Sequence, residues 1–249
     1  MSDTTKARPR PGVNGTGAVI SSGVPGLDDV LSDGLLAGQL YLVEGEAGSG
    51  KTTLGLQFLL EGVRHGEQTL FVTLSETASE LHSAAASHDW SLEGVEIREL
   101  MPHEDALRHS EQYTMFHPSE VELADTLQTI IEDVERIRPS RAVVDSLSEL
   151  RLMAGSPLRY RRQVLALKLF FARLNCTTLF LDDHRVDDID RQMHSLAHGI
   201  IALEQRHPSY GSERRRLRVV KYRGRSYRGG YHDFVIERGG LRVFPRLAP

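Results

Sequence analysis

The sequence predicts an α/β fold: a mostly parallel sheet flanked by helices, with antiparallel strands added at its C-terminal end. Three observations carry this. Short apolar runs alternate with helix-length stretches over the first three-quarters of the chain, which is the order that builds a parallel sheet. Runs such as Thr69-Leu70-Phe71-Val72-Thr73-Leu74 are apolar nearly throughout, as strands buried on both faces are. From Gly199 onward the texture becomes strand after strand, punctuated by glycine.

Taken in order, residues 1–18 read as a flexible, polar and basic arm, and residues 19–249 as one domain. Ser21 to Leu31 reads as a turn feeding a short helix. Leu40-Tyr41-Leu42-Val43 is the first strand, and the helix from Lys51 to about His65 stops at Gly66, as a C-terminal glycine predicts. After the strand at Thr69–Leu74, Thr77 and Glu80 have the spacing of a capping box for a helix running to about His88. A short strand is predicted near Val95 to Leu100. Met101 to Pro118 shows neither period; its His103, His109 and His117 lack metal-pair spacing and read as a surface loop. Ser119 is expected to cap a helix over Glu120 to Arg138, with Leu123, Leu127, Ile130, Ile131 and Val134 on one stripe. Pro139 stops it. Arg141 to Ser146 is a strand, Pro157 to Leu174 a helix, and Thr177 to Asp182 another strand. Four late strands follow around Gly199–Glu204, Arg216–Lys221, Tyr231–Ile236 and Leu241–Phe244.

Composition bounds the classes. The chain has 249 residues, enough for a substantial core, and 40% of them are apolar. No apolar run approaches the roughly 20 residues of a membrane span, and the start lacks the apolar core of a secretory signal, so a cytoplasmic protein is expected. The lone cysteine, Cys176, excludes an intrachain disulfide and reads as a small buried apolar residue rather than a nucleophile. Residues 205–249 hold twelve Lys or Arg against three Asp or Glu, although the whole chain carries a net charge of -4. A basic end suggests a polyanion: nucleic acid, or a nucleotide on a neighbouring subunit.

Gly45-Glu46-Ala47-Gly48-Ser49-Gly50-Lys51-Thr52 fills every fixed position of G-x-x-x-x-G-K-[ST] between a strand and a helix. Its glycines let the backbone aim successive N–H groups at anionic oxygens, and the positive end of the helix adds to the attraction. Lys51 is expected to reach the β- and γ-phosphates of ATP and Thr52 to complete a Mg2+ shell, with Thr53 beside it. Asp145 closes an apolar strand, where a magnesium-positioning carboxylate must stand. Ser75-Glu76 lies at the carboxyl end of another strand, the edge where α/β sheets place ligands.

With these pieces assembled, the chain resembles the KaiC family of RecA-like ATPases from about Ile20 to Phe244. The resemblance is carried by Gly23-Val24-Pro25-Gly26-Leu27-Asp28, the phosphate loop, Phe71-Val72-Thr73-Leu74-Ser75-Glu76, Val143-Val144-Asp145-Ser146, Lys221-Tyr222-Arg223-Gly224 and Leu241-Arg242-Val243-Phe244-Pro245. It implies a RecA-like P-loop NTPase fold in a homo-oligomeric ring, usually a hexamer, with ATP held between neighbours. In such a ring Lys221 and Arg223 would reach the phosphates of the adjacent subunit's nucleotide; their alternate spacing on a strand lets both meet one ligand. The plain reading of the pair is an exposed basic strand. The family commonly has two adjacent glutamates after the second strand, whereas Ser75 replaces the first here: either Glu76 takes over as the catalytic carboxylate, or hydrolysis is slow and the protein works mainly as a nucleotide-gated switch. The family's autophosphorylated pair falls on His194-Ser195, making Ser195 a candidate acceptor, with a backbone hydrogen-bonding role as the plain alternative. The clock protein itself resembles two such domains in tandem, so no circadian role follows.

The expected function is therefore a ring-forming, Mg-dependent ATPase whose nucleotide state regulates a signalling partner, with autophosphorylation as a further activity. Two other classes compete. A RecA- or RadA-like DNA-binding ATPase would use Arg214, Arg215, Arg216, Arg218, Arg225 and Arg228 along a phosphate backbone, but no basic loop interleaved with aromatics is present and nucleic acid is not expected. An ATP-gated scaffold with little hydrolysis gains weight from Ser75.

Overall fold

A computed structural model describes residues 17–100, 118–183, 193–206 and 213–246. Its elements in chain order are β1 (Val19–Ile20), α1 (Leu27–Val30), β2 (Leu35–Leu36), β3 (Leu40–Gly45), α2 (Lys51–Arg64), β4 (Thr69–Thr73), α3 (Ala78–Ser87), β5 (Val95–Glu99), α4 (Pro118–Ile137), β6 (Arg141–Asp145), α5 (Leu147–Ala154), α6 (Pro157–Arg173), β7 (Thr177–Asp183), β8 (Gly199–Arg206), β9 (Arg214–Tyr222), β10 (His232–Glu237) and β11 (Gly240–Phe244). Among the described residues, nine strands form one sheet in the order β11-β10-β9-β8-β3-β7-β6-β4-β5. Strands β5, β4, β6, β7, β3 and β8 run parallel, and β9, β10 and β11 are added antiparallel. The switch in direction comes one strand later than the change in sequence texture, because β8 still pairs parallel to β3.

Every residue of β3, β4 and β6 is buried. Side chains alternate between the two faces of a strand, and the core divides accordingly. Tyr41, Val43, Phe71, Val143, Leu179 and Leu181 pack with α1, α2 and α3 through residues such as Leu27, Phe58 and Leu81. Leu42, Leu70, Val72, Val144 and Phe180 pack on the other face with α4, α5 and α6 through Ile130, Leu147, Val164 and Phe171. Cys176 is buried in this second layer, and burial pushes its thiol up to about 12.

Local signals explain most element ends. Gly66 takes a left-handed φ of 72° just after α2. Thr77 accepts from the Glu80 backbone while the Glu80 carboxylate accepts from the Thr77 N–H, so the expected capping box forms. Helix α4 is described from Pro118 onward, so Ser119 lies within it and not ahead of it as a cap. Leu123, Leu127, Ile130 and Val134 are buried on its inner stripe, and Ile131 is half-buried. Two features were not expected: the small pairing of β1 with β2, and helix α5, which starts directly after β6 and stops at Gly155 in a left-handed conformation. The histidine-bearing segment from Met101 to His117 lies outside the described residues.

Candidate functional site

The site is built at the carboxyl ends of neighbouring strands. Gly45 on β3 lies in register with Asp183 on β7; Leu181 on β7 lies beside Asp145 on β6, and Asp145 beside Thr73 on β4. The turn after β4 is closed by the Thr73 hydroxyl, which accepts from the Glu76 N–H at 2.9 Å and donates to the Glu76 carbonyl at 2.7 Å. The clip fixes the Glu76 backbone at the end of β4, and the Glu76 charge is felt at Asp145.

The loop from Gly45 to Thr52 wraps the start of α2. Gly48 (φ 76°) and Gly50 (φ 102°) occupy the left-handed region that L side chains avoid, which bends the backbone into an anion cradle. Glu46, Ala47 and Gly48 are exposed, whereas Ser49 is buried with its Oγ lacking a hydrogen-bond partner. Lys51 is buried; its Nζ donates to the carbonyls of Gly45 at 2.9 Å and Glu46 at 3.0 Å and pairs with Asp183 Oδ1 at 3.0 Å. Thr52 Oγ1 donates to Asp145 Oδ2 at 2.9 Å. A cavity of about 390 Å³ opens over this loop, lined by Gly48, Gly50, Lys51, Thr52, Thr53, Glu76, Arg215 and Ile236.

The carboxylates are tuned by their surroundings. Burial, reinforced by the charges of Glu76 and Asp183, pushes Asp145 up to about 6 against the opposing pull of the Thr52 hydroxyl and the Lys51 ammonium. Glu76 also lies above the ordinary carboxylate range, through burial and then Glu80, with Lys51 opposing. A hydroxyl and a carboxylate 2.9 Å apart beside a phosphate-shaped loop are the donor set magnesium takes, since Mg2+ fills its remaining positions with phosphate oxygens and water. A glycine cradle, an orphaned buried hydroxyl and a lysine turned onto the loop suit a polyphosphate.

Lys221 and Arg223 are not at this cavity. Lys221 pairs with Ile200, which pairs with Leu42, so it stands two strands over from β3 and three residues short of Gly45. Its Nζ donates to the carbonyls of His194 and, at 2.8 Å, Ala197; Arg223 donates to the Ser195 carbonyl at 2.7 Å; and Lys168 on α6 donates to the Leu196 carbonyl at 2.6 Å. These cations therefore converge on one turn, where burial and mutual repulsion lower the pKa values of Lys168 and Lys221. The Ser195 hydroxyl accepts from Arg161 at 3.0 Å on the same turn, and His194 meets Glu44 at 2.7 Å.

The structure separates the C-terminal arginines. Arg215 reaches back to the phosphate loop, donating to the Gly48 carbonyl at 2.8 Å. Arg216 forks onto Glu204 at 2.9 and 2.6 Å and stacks over Tyr231, and Arg225 donates to the Ser32 carbonyl at 2.6 Å. Arg218 also pairs with Glu204 at 3.9 Å, so four of the six arginines that could track a nucleic-acid backbone serve internal contacts. Arg215 and Asp183 are site residues that sequence reasoning missed. For Asp183 a signal existed, since β7, like β6, is an apolar strand that ends in aspartate.

Comparison with known proteins agrees with this arrangement. The family profile described as "ATPase: KaiC" matches residues 20–248. The chain belongs to the KaiC family of ATPases. A UPF0273 protein of Aeropyrum pernix is 30% identical over 237 residues, covering 91% of this chain and 93% of that protein, and one of Pyrococcus horikoshii is 27% identical over 234 residues, covering 91% and 94%. The circadian clock oscillator protein KaiC of Parathermosynechococcus lividus is 27% identical over 231 residues, but the match covers only 42% of that longer protein. In structure, a KaiC-like protein from the hyperthermophilic archaeon Pyrococcus horikoshii superposes with a TM-score of 0.76 over 92% of this chain and all of the other, at 24% identity, which establishes the common RecA-like fold. No described helix is long and apolar enough to cross a membrane.

Proposed function

We propose that this KaiC-family protein is a Mg-dependent ATPase that works in the cytoplasm as a ring of like subunits, hexameric in the family's usual manner, and that its nucleotide state is read by a signalling partner. Residues 19–249 act as one ATPase domain behind the arm at 1–18. The observation that carries the reading is the Thr52–Asp145 contact at 2.9 Å, which joins the start of α2 to the tip of β6 beside the phosphate loop.

In this reading Gly45, Glu46, Ala47, Gly48, Ser49 and Gly50 offer backbone N–H groups to the phosphates of ATP, Lys51 neutralises their charge, and Thr52 with Thr53 closes the loop. Thr52 and Asp145 would hold Mg2+, which would supply charge neutralisation to the phosphates. Glu76 lines the cavity and is raised above the ordinary carboxylate range, a fit for accepting the proton of an attacking water in place of the glutamate that Ser75 replaces. Lys221 and Arg223 stand too far from their own loop to serve it and would act on the nucleotide of the next subunit, where an added cation stabilises the transferring phosphoryl. Ser195 shares the turn those cations grip, which favours it as phosphoryl acceptor if any transfer goes to protein.

Four proteins test this: the parent, Lys51→Ala, Lys221→Ala with Arg223→Ala, and Ser195→Ala. ATP binding should vanish in the first variant. The double variant should bind ATP while releasing phosphate at least tenfold more slowly, and with γ-labelled ATP any protein-bound label should be lost on Ser195→Ala. An unaltered hydrolysis rate in the double variant would refute the role in trans.

A further inference from the structure

Lys51 is held by three acceptors of two kinds. The Gly45 and Glu46 carbonyls belong to the loop itself and carry no full charge. Asp183 is different: it is a full negative charge from another element, at the tip of the strand lying between β3 and β6, and its side chain is 44% exposed where that of Lys51 is 8% exposed. A polyphosphate entering the loop brings its own oxygens to the same ammonium. Phosphoryl oxygens and a carboxylate crowded onto one cation repel each other, and the partly exposed aspartate is the member able to turn away into water.

Asp183 also has a second connection. Ser148, the second residue of α5, lies with its hydroxyl 3.0 Å from Asp182 Oδ1 and 3.4 Å from Asp183 Oδ2. The hydroxyl has one proton for two carboxylates, so what Asp183 does at Lys51 bears on which one Ser148 serves. Asp182 in turn holds Arg151, one turn further along α5, at 2.5 Å.

We infer that Asp183 is an internal competitor for Lys51: a built-in anion that occupies the ammonium while the pocket lacks a phosphate, sets nucleotide affinity by having to be displaced, and passes occupancy to α5 through Ser148. This rests on the loop being the nucleotide site. Asp183 is here a positioning residue that acts through Lys51, and it acts against binding. A carboxylate that merely supported the fold or helped to hold magnesium would do the opposite.

The test compares the parent with Asp183→Asn and Asp183→Glu, titrating each with Mg-ATP by calorimetry and following amide hydrogen exchange along α5. Asp183→Asn should bind ATP about two- to fivefold more tightly, the range set by a half-exposed ion pair, and Asp183→Glu should restore affinity towards the parent's. The empty Asp183→Asn protein should already show the α5 exchange pattern that the parent reaches only with ATP. Equal or weaker binding by Asp183→Asn overturns the competition, and tighter binding with α5 exchange unaltered overturns the link through Ser148. A parent that binds no nucleotide refutes the site reading itself, and the inference falls with it.

Discussion

Replacing Arg141 with methionine should cost this protein about 3 kcal/mol of stability. Arg141 opens β6, the strand that ends in Asp145, and its side chain is only 2% exposed. Its guanidinium meets the Glu67 carboxylate at 2.5 and 3.3 Å, donates to the carbonyls of Ser21 at 2.7 Å and Phe58 at 3.2 Å, and lies 4.9 Å from the centre of the Phe58 ring. One charged group thus ties the β6 start to α2 and to the segment before α1. Removing one partner of a buried pair costs about 3–5 kcal/mol, because the other charge stays behind. Glu67 is 26% exposed and can regain some water, so the lower end applies. In a chain of this size each kcal/mol lowers the melting temperature by about 2–4 °C, so a fall of about 6–12 °C is expected by circular dichroism, with a matching loss in urea titration. Arg141→Met combined with Glu67→Leu should recover much of it, since an apolar pair of similar volume leaves no orphaned charge. A single-variant loss below about 1 kcal/mol, or a double variant no better than the single, would show that the pair is not what holds β6 in place.

Two further outcomes follow from the same geometry. His198 packs edge-on against the rings of Tyr41 and Tyr222, and burial, helped by the charges of Arg223, Lys168 and Lys221, lowers its pKa although its backbone contact with Arg223 opposes this. The unfolded chain therefore binds the proton more readily; this group's stabilising share is complete above the ordinary histidine value of about 6.5 and is lost as pH falls below it. Thermal melts of the parent and His198→Gln across pH 5 to pH 8 should converge at the acid end, and parallel curves would contradict the assignment. Gly50→Ala places a Cβ 2.5 Å from Ile236 Cδ1 at a φ of 102°, so it should destabilise the protein by about 1–3 kcal/mol and weaken ATP binding more than tenfold; a variant with parental melting and affinity would mean that the cradle does not need this backbone shape.

What could be read from the chain was local or doubly constrained. The phosphate loop, the Thr77–Glu80 box and the Gly66 stop are short-range chemistry, and β3, β4 and β6 announce themselves because burial on both faces leaves no polar position. Helix α5 escaped notice although Leu147, Leu150 and Ala154 have helical spacing, because eight residues joined directly to β6 look like a continuation of that strand's tail. Strands of two residues, β1 and β2, are too short to show any period. The direction of β8 is a pairing fact, set by its seat beside β3 and not by its own residues. Arg215 was read among a run of arginines whose separate destinations only the antiparallel register of β8, β9 and β10 decides.

The buried thiol at the entry to β7 has a practical use. Cys176 is the sole cysteine and is held far above the pH of any labelling buffer, so maleimide dyes should leave the folded chain untouched. A single cysteine introduced on the exposed side of α6 would then carry a fluorophore or spin label alone, and subunit-to-subunit distances could be followed through a nucleotide cycle without first removing a native thiol.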